Sequence, residues 1–398
     1  MKVAIISAYF GEEIGGADIS AKLFVDALRK EHQVEIISLT PKRPSQLYQI
    51  RIPLPRTLLA FLLHTSWCDR FLLPRLIHML KQIAPDIVHV QDLSLLPASV
   101  EAAAALHIPL IATVRDYRFI SLLPVFRQQR NIIQQPMPEE EISLLKNIAH
   151  MHHATWAVPF LLPIIRKRPA ALRHALSACH HLIAISAFIK RNLVAYGIPA
   201  HQITVVHNPA PDWRVPQKPR RKGEYVIFAP GRIEEYKGFQ VLLAAVAQLK
   251  NTALPNKISV IIAGTGPYLP ALQQLAASLK LGNVIFIGKI PYEQMPEQYA
   301  RCDLVVFPSL WPEPLGRVPI EAIAAGKPII ASRIGGIPEI VTKRTGVLVP
   351  PGNARALASA ITQFISGKKR IRQVLSLMQT GASYTKQIST IYRSLIVP

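Results

Sequence analysis

The sequence predicts an α/β protein built from two doubly wound parallel sheets that face a central cleft. Three observations predict it. The chain has 398 residues, 50% of them apolar, which is more than one hydrophobic core usually supports. Short β-branched runs alternate with helix-length segments, as in βα units that feed a parallel sheet. That pattern breaks at a Pro- and Arg-rich stretch, "PAPDWRVPQKPRRKG" (209–223), and then starts again.

In the first half the strand runs are "VAIIS" (3–7), "VEIISL" (34–39), "DIVHV" (86–90), "LIATV" (110–114), "LIAIS" (182–186) and "ITVVHN" (203–208). The second half supplies "YVIFAPG" (225–231), "SVIIAG" (259–264), "VIFIG" (284–288), "LVVFPS" (304–309), "PIIAS" (328–332) and "GVLVP" (346–350). The domains expected are therefore 1–208, a linker at 209–223, a second domain at 224–380, and a C-terminal helix at 381–398 whose return to the first domain is left open. Apolar residues at helical spacing mark that last segment.

The 46 Lys and Arg outnumber the 24 Asp and Glu, for a formal charge of +22, which favours an anionic partner. Residues 1–215 hold 23 basic and 15 acidic side chains, and residues 216–398 hold 23 and 9, so the stronger anion site is expected in the second half. No recognition motif for nucleic acid accompanies the charge, and none is expected to bind. The three cysteines, Cys68, Cys179 and Cys302, have no CxxC spacing and fit a reducing cytosol. The apolar runs at 58–64 and 156–165 fall short of the ~18–20 residues that span a bilayer. Interleaved with cations such as Arg56, Arg70, Arg75, Lys81 and Arg166-Lys167-Arg168, they fit either an anionic membrane surface or buried helices.

Two stretches could carry chemistry. "APGRIEEYKGF" sets Arg232 and Lys237 between the end of a strand and the start of a helix, where helix N–H groups and both cations can meet one anion such as a diphosphate. A solvated Arg and Lys beside Glu234 and Glu235 fit the same letters. "LWPEPLGRVPIEAIAAGKPII" (310–330) places Glu313 and Glu321 eight positions apart around Gly316. Carboxylates at two depths of a helix start would accept hydrogen bonds from a hydroxyl-rich ligand; a capping Glu and a surface Glu are the plainer account. Gly15 and Gly16 follow the first strand and allow close approach of backbone to ligand. They do not form the GxGxxG of a dinucleotide site, and the second strand ends without an acid, which disfavours a nicotinamide-dependent oxidoreductase.

Taken together, "GRIEEYKG", "IAGTGP" (262–267), "FIGKIP" (286–291) and "FPSLWPEPLGRVPIEAIAAGKPIIASRIGGIPEIV" (307–341) resemble, in order and spacing, the nucleotide-sugar half of retaining glycosyltransferases of family four, whose signature is E-x7-E. The resemblance spans about residues 224–365. It implies the GT-B fold of two Rossmann-like domains and transfer of a sugar, with retention and without a metal, from a nucleotide diphosphate sugar to a glycan or lipid-linked acceptor. No cofactor is implied beyond that donor, and no Asp-x-Asp is present to bind a divalent ion. A cytoplasmic enzyme, peripheral to an anionic membrane where the acceptor is lipid-linked, is the matching location.

The resemblance also implies roles. Arg232 and Lys237 would neutralise the diphosphate, Glu313 would bind hydroxyls of the donor sugar, and Glu321 would hold the ribose. Backbone at Leu315 and Gly316 would meet phosphate, Gly264 and Gly266 would let the chain pass close to the nucleotide, and Lys289 and Ile290 would lie beside the base. Gly15 and Gly16 would match the glycine loop beneath the diphosphate. "ATVRDYRFIS" (112–121) is similar to the acceptor-side strand end, with Thr113, Asp116, Tyr117 and Phe119 matching, and Asn208 matches the asparagine that closes the first domain. Arg115 stands where the family has histidine. Arginine stays protonated and cannot act as a general base, so a nucleotide-sugar-binding protein without activity is the rival reading.

Overall fold

The computed structural model describes residues 1–8, 10, 16–39, 47–49, 66–121, 128–129, 132–135, 137–140, 142–143, 146, 158–213, 215, 223–249, 257–367 and 380–396. The chain divides into two units: Met1–Pro209 together with Gly381–Pro398, and Ala210–Thr380.

The first unit holds a seven-stranded sheet of β1 (Lys2–Ser7), β2 (Gln33–Ser38), β3 (Leu47–Gln49), β4 (Ile87–Val90), β5 (Leu110–Val114), β8 (His181–Ala184) and β9 (Ile203–Val205). Their order is β3-β2-β1-β4-β5-β8-β9, all parallel. A short antiparallel pair, β6 (Gln128–Gln129) and β7 (Ile132–Ile133), stands apart from it. Val3 pairs with Val34 on one side and Ile87 on the other, so β1 is central and its runs are apolar throughout, as a sheet covered on both faces requires. The helices are α1 (Gly16–Leu28), α2 (Ser66–Ile83), α3 (Leu96–Ala105), α4 (Val158–Ser177) and α5 (Ala187–Ala195).

The second unit repeats the plan with β10 (Glu224–Pro230), β11 (Lys257–Ala263), β12 (Val284–Phe286), β13 (Leu304–Phe307), β14 (Ile329–Ser332) and β15 (Gly346–Val349), ordered β12-β11-β10-β13-β14-β15 and again all parallel. Its helices are α6 (Phe239–Leu249), α7 (Leu269–Ser278), α8 (Met295–Arg301), α9 (Arg317–Ala324), α10 (Ile337–Ile340) and α11 (Ala354–Ile365). Each of the predicted runs carries a strand. In both sheets the order reverses beside the first strand of the unit, and in open sheets of this type ligands bind outside the carboxyl ends of the strands at that reversal.

The last helix, α12 (Gly381–Ile396), belongs to the first unit. Tyr384, Ile388 and Tyr392 are fully buried among Val3, Ile5, Phe24, Ile36 and Ile111. Tyr392 meets His89 Nδ1 at 2.7 Å, and the other ring nitrogen of His89 lies 2.7 Å from Thr113 Oγ1. Burial first, and the Arg115 charge second, hold His89 well below the ordinary histidine value, so this ring stays neutral and links three elements by hydrogen bonds alone.

Candidate functional site

The switch point of the second unit lies between the carboxyl ends of β10 and β13, and the candidate side chains gather there. Beyond β10 the chain turns at Gly231, exposes Arg232 and buries Ile233. Ile233 N donates to Thr265 O at 2.9 Å, which lays this turn along the end of β11. A Cβ on Gly264 would stand 1.8 Å from Gly231 O, and one on Gly266 2.2 Å from Ile233 O. The room these two glycines make is thus occupied by the protein's own backbone. A single turn of 3-10 helix, Glu235–Lys237, then ends at Gly238, which has φ 75° and opens α6. A Cβ there would meet Pro308 O at 2.0 Å, so only glycine lets Lys237 come this close to the end of β13.

The loop after β13 is held to that turn by Leu310 N and Trp311 N, which donate to Tyr236 O at 2.9 and 3.2 Å. Lys237 Nζ then donates to Glu313 Oε1 at 2.6 Å. The ammonium also lies 5.5 Å from the centre of the Tyr236 ring and 5.2 Å from that of Trp311, within cation–π range of both. Ser309 Oγ, itself fully buried, donates to the same Glu313 Oε1 at 3.0 Å. Glu313 is only 5% exposed. Its backbone is seated on Gly335 and Gly336: Gly336 N donates to Glu313 O at 2.8 Å, and a Cβ on Gly335 would stand 2.3 Å from that oxygen.

Three residues on, Gly316 takes φ 88° and leads into α9, while Leu315 is wholly buried. The first N–H groups of a helix have no partner within it, so α9 brings amide donors and the positive end of its dipole to this face. Glu321 sits one turn into α9 and is bound by a different set of side chains from Glu313. Arg317 Nε donates to its Oε1 at 3.1 Å and Tyr299 OH to its Oε2 at 3.0 Å. Arg317 Nη2 also donates to Tyr292 OH at 3.1 Å, and Trp213 lies 5.5 Å from both tyrosine rings. Burial raises the Glu321 pKa above the usual carboxylate range, opposed by Arg317 and by the hydroxyls. Both of its oxygens are therefore engaged by protein donors. Lys289 is exposed and Ile290 half-buried just beyond β12.

Within the first unit, Arg115 at the end of β5 is 8% exposed and turned inward. Its guanidinium donates to Gln91 Oε1 and Asn208 Oδ1, and it hydrogen-bonds Tyr384 of α12. Tyr117 is buried with its ring against Phe188, whereas Asp116 is half-buried and pairs with Arg118 at 2.7 Å. Arg118 also pairs with Asp92 at 2.9 Å. Gly16 is the first residue of α1; Gly15 lies outside the described residues. Sequence reasoning put Arg232 and Lys237 at one strand-to-helix turn and Glu313 at a second helix start, and did not single out Ser309, Tyr236, Trp311, Tyr292, Tyr299 or Arg317. Among the described residues no group of three or more His, Cys, Asp and Glu could hold a metal ion, and no helix is long and apolar enough to cross a membrane. His150, His152 and His153 lie outside those residues.

Glycosyl transferases group 1 is the family matched by residues 212–376, and Glycosyltransferase Family 4 is matched by residues 14–136 and 142–214. Among curated relatives, a GDP-mannose-dependent alpha-(1-6)-phosphatidylinositol monomannoside mannosyltransferase of Mycolicibacterium smegmatis is 28% identical over 239 residues, 56% of this chain and 60% of that one. A D-inositol 3-phosphate glycosyltransferase of Corynebacterium urealyticum is 34% identical over 183 residues, 43% of each chain. The match thus spans less than two thirds of either relative. Among solved structures, Anabaena Alr3699/HepE in complex with UDP-glucose superposes with a TM-score of 0.71 at 19% identity, covering 99% of this chain and 100% of that one. Sucrose-phosphate synthase of Thermosynechococcus elongatus does so with 0.69 at 18% identity, covering 99% and 98%.

Proposed function

On the GT-B fold that the two parallel sheets and these solved structures establish, we propose that the chain is a retaining glycosyltransferase that moves a sugar from a nucleotide diphosphate sugar to an acceptor without a metal ion. The observation that carries this reading is the Lys237–Glu313 pair beside exposed Arg232 at the switch point of the second unit. Breaking the bond to the donor sugar leaves negative charge on the diphosphate. Arg232, Lys237 and the α9 amides are the groups that stabilise it, and the backbone amides, fixed by the helix, need no reorganisation as the charge develops. Glu313 orients the sugar through its hydroxyls. The leaving phosphate takes the acceptor proton, so no base is needed at position 115, where the inward-facing Arg115 offers none. Loss of activity with retained donor binding is the second reading, and the arginine at position 115 is what favours it.

The test is a panel of UDP- and GDP-linked sugars screened for thermal stabilisation, followed by a transfer assay. A ligand at about 100 times its Kd stabilises by ~2.7 kcal/mol, or ~5–11 °C for units of this size. A rise with one nucleotide class and transfer of its sugar is the expected result. No rise with any of them rejects the reading, and a rise without transfer or hydrolysis selects the inactive binder.

The acceptor we assign to the lipid-linked class, met by a cytoplasmic enzyme at an anionic membrane surface. Helix α2 exposes Arg70, Arg75, His78 and Lys81 around Phe71, which is 59% exposed, and α4 exposes Arg166 and Lys167. The single acid on these helices, Asp69, is held by buried Arg168. Each cation near an anionic surface contributes ~1 kcal/mol. The protein is expected to sediment with anionic vesicles at low salt and to be released at high salt, and Arg70→Glu with Arg75→Glu and Lys81→Glu is expected to abolish sedimentation. Wild-type protein left in the supernatant at low salt makes a soluble glycan the better acceptor.

A further inference from the structure

Glu313 presents its two oxygens to different surroundings. Oε1 accepts from both Lys237 Nζ and Ser309 Oγ, at 2.6 and 3.0 Å, whereas no donor among the described residues reaches Oε2. The Ser309 hydroxyl has one proton to give. Its alternatives are the carboxylate oxygen at 3.0 Å and the Trp311 carbonyl at 3.2 Å, and an ionised acceptor makes the stronger bond. Ser309 is fully buried two residues beyond the end of β13, and Trp311 N donates back to its Oγ at 3.3 Å, so the hydroxyl has little freedom to leave. Lys237, by contrast, sits on a flexible stem and is the cation expected to turn toward a diphosphate when one arrives. Without Ser309 the carboxylate would then be free to rotate after it.

We infer that Ser309 is a positioning residue: it holds Glu313 Oε1 in place so that Oε2 stays directed at the hydroxyls of the donor sugar while Lys237 engages phosphate. This rests on the donor-site reading proposed above and adds to it the residue that makes the site read the sugar rather than the nucleotide. A buried serine with a purely structural role would affect all nucleotide ligands alike.

The experiment uses the full chain and calorimetric titration with UDP-glucose, GDP-mannose, UDP and GDP. For the sugar nucleotide that wild-type protein binds, Ser309→Ala is expected to weaken binding roughly tenfold, the loss of one hydrogen bond to a charged group, and to change the affinity for the bare diphosphate less than twofold. In a Glu313→Gln background the same change is expected to alter neither, since the oriented oxygen pair is gone. Equal weakening of sugar nucleotide and bare diphosphate, or no weakening of either, overturns the inference while leaving the donor site intact. A persistent Ser309→Ala effect in the Glu313→Gln background overturns it as well, by showing that the serine acts through another group. Wild-type protein that binds none of the four ligands removes the donor-site reading and the inference together.

Discussion

Glu313→Gln is expected to slow sugar transfer by a hundredfold or more while the bare nucleotide diphosphate binds at least as well as to the wild type. Glutamine keeps the size of the side chain and its seat on Gly335 and Gly336 but not its charge. A carboxylate that accepts from sugar hydroxyls contributes most where the transferring sugar gains positive character, and removing one such oriented group typically costs 10²–10³ in rate. The bare diphosphate never meets that oxygen. It meets Lys237, which in the wild type gives a 2.6 Å hydrogen bond to Glu313 and in the variant is released to the phosphate. Steady-state kinetics beside calorimetry checks this. Equal losses in transfer and in diphosphate affinity would show that Glu313 serves the phosphate site as a whole.

Arg232→Ala combined with Lys237→Ala is expected to weaken nucleotide diphosphate binding by at least about a hundredfold, since two charge-assisted hydrogen bonds at ~1.5–3 kcal/mol each are lost. The single changes differ in a second readout. Arg232 is exposed, so its removal leaves the unfolding temperature unchanged. Lys237 pairs with a carboxylate that is nearly buried, and an ion pair broken on one side leaves an uncompensated charge, so Lys237→Ala is expected to lower the melting temperature of the second unit as well. Affinity for the diphosphate unchanged in the double variant, measured by calorimetry, would move the anion site elsewhere.

The sheets were legible because parallel strands covered on both faces are written as unbroken β-branched runs, and such runs survive without any knowledge of neighbours. The elements that escaped notice are the short ones: β3 is three residues, "LYQ", and the β6–β7 hairpin has two residues per strand. In the site, charges at strand ends were visible, since Arg232, Lys237 and Glu313 announce themselves by type and place. What could not be read was pairing at a distance. Tyr299 lies 22 positions from Glu321, and Lys237 lies 76 from Glu313. Nothing local marks Tyr299 as a donor to a buried carboxylate, and "SRIGGIP" reads as a turn before it reads as a seat for Glu313. The same holds for Gly264 and Gly266, whose lack of a side chain looks like room for ligand until the backbone of residues 231–233 is found there.

The first unit begins at Met1 but closes only with α12, and the 171 residues of Ala210–Thr380 are made in between. At a synthesis rate of ~5–20 residues per second, about 10–35 s separate the last strand of that sheet from the helix that covers it. During that interval Val3 and Ile5 of β1 and Phe24 of α1 lack the α12 side chains that share their core, and His89 lacks its Tyr392 hydroxyl. The second unit has all six strands of its sheet by residue 349, and its core draws no side chain from α12. Arrival of Tyr384, Ile388 and Tyr392 is then the step that completes the older half, so the core of the first unit depends on a segment made only after the whole of the second.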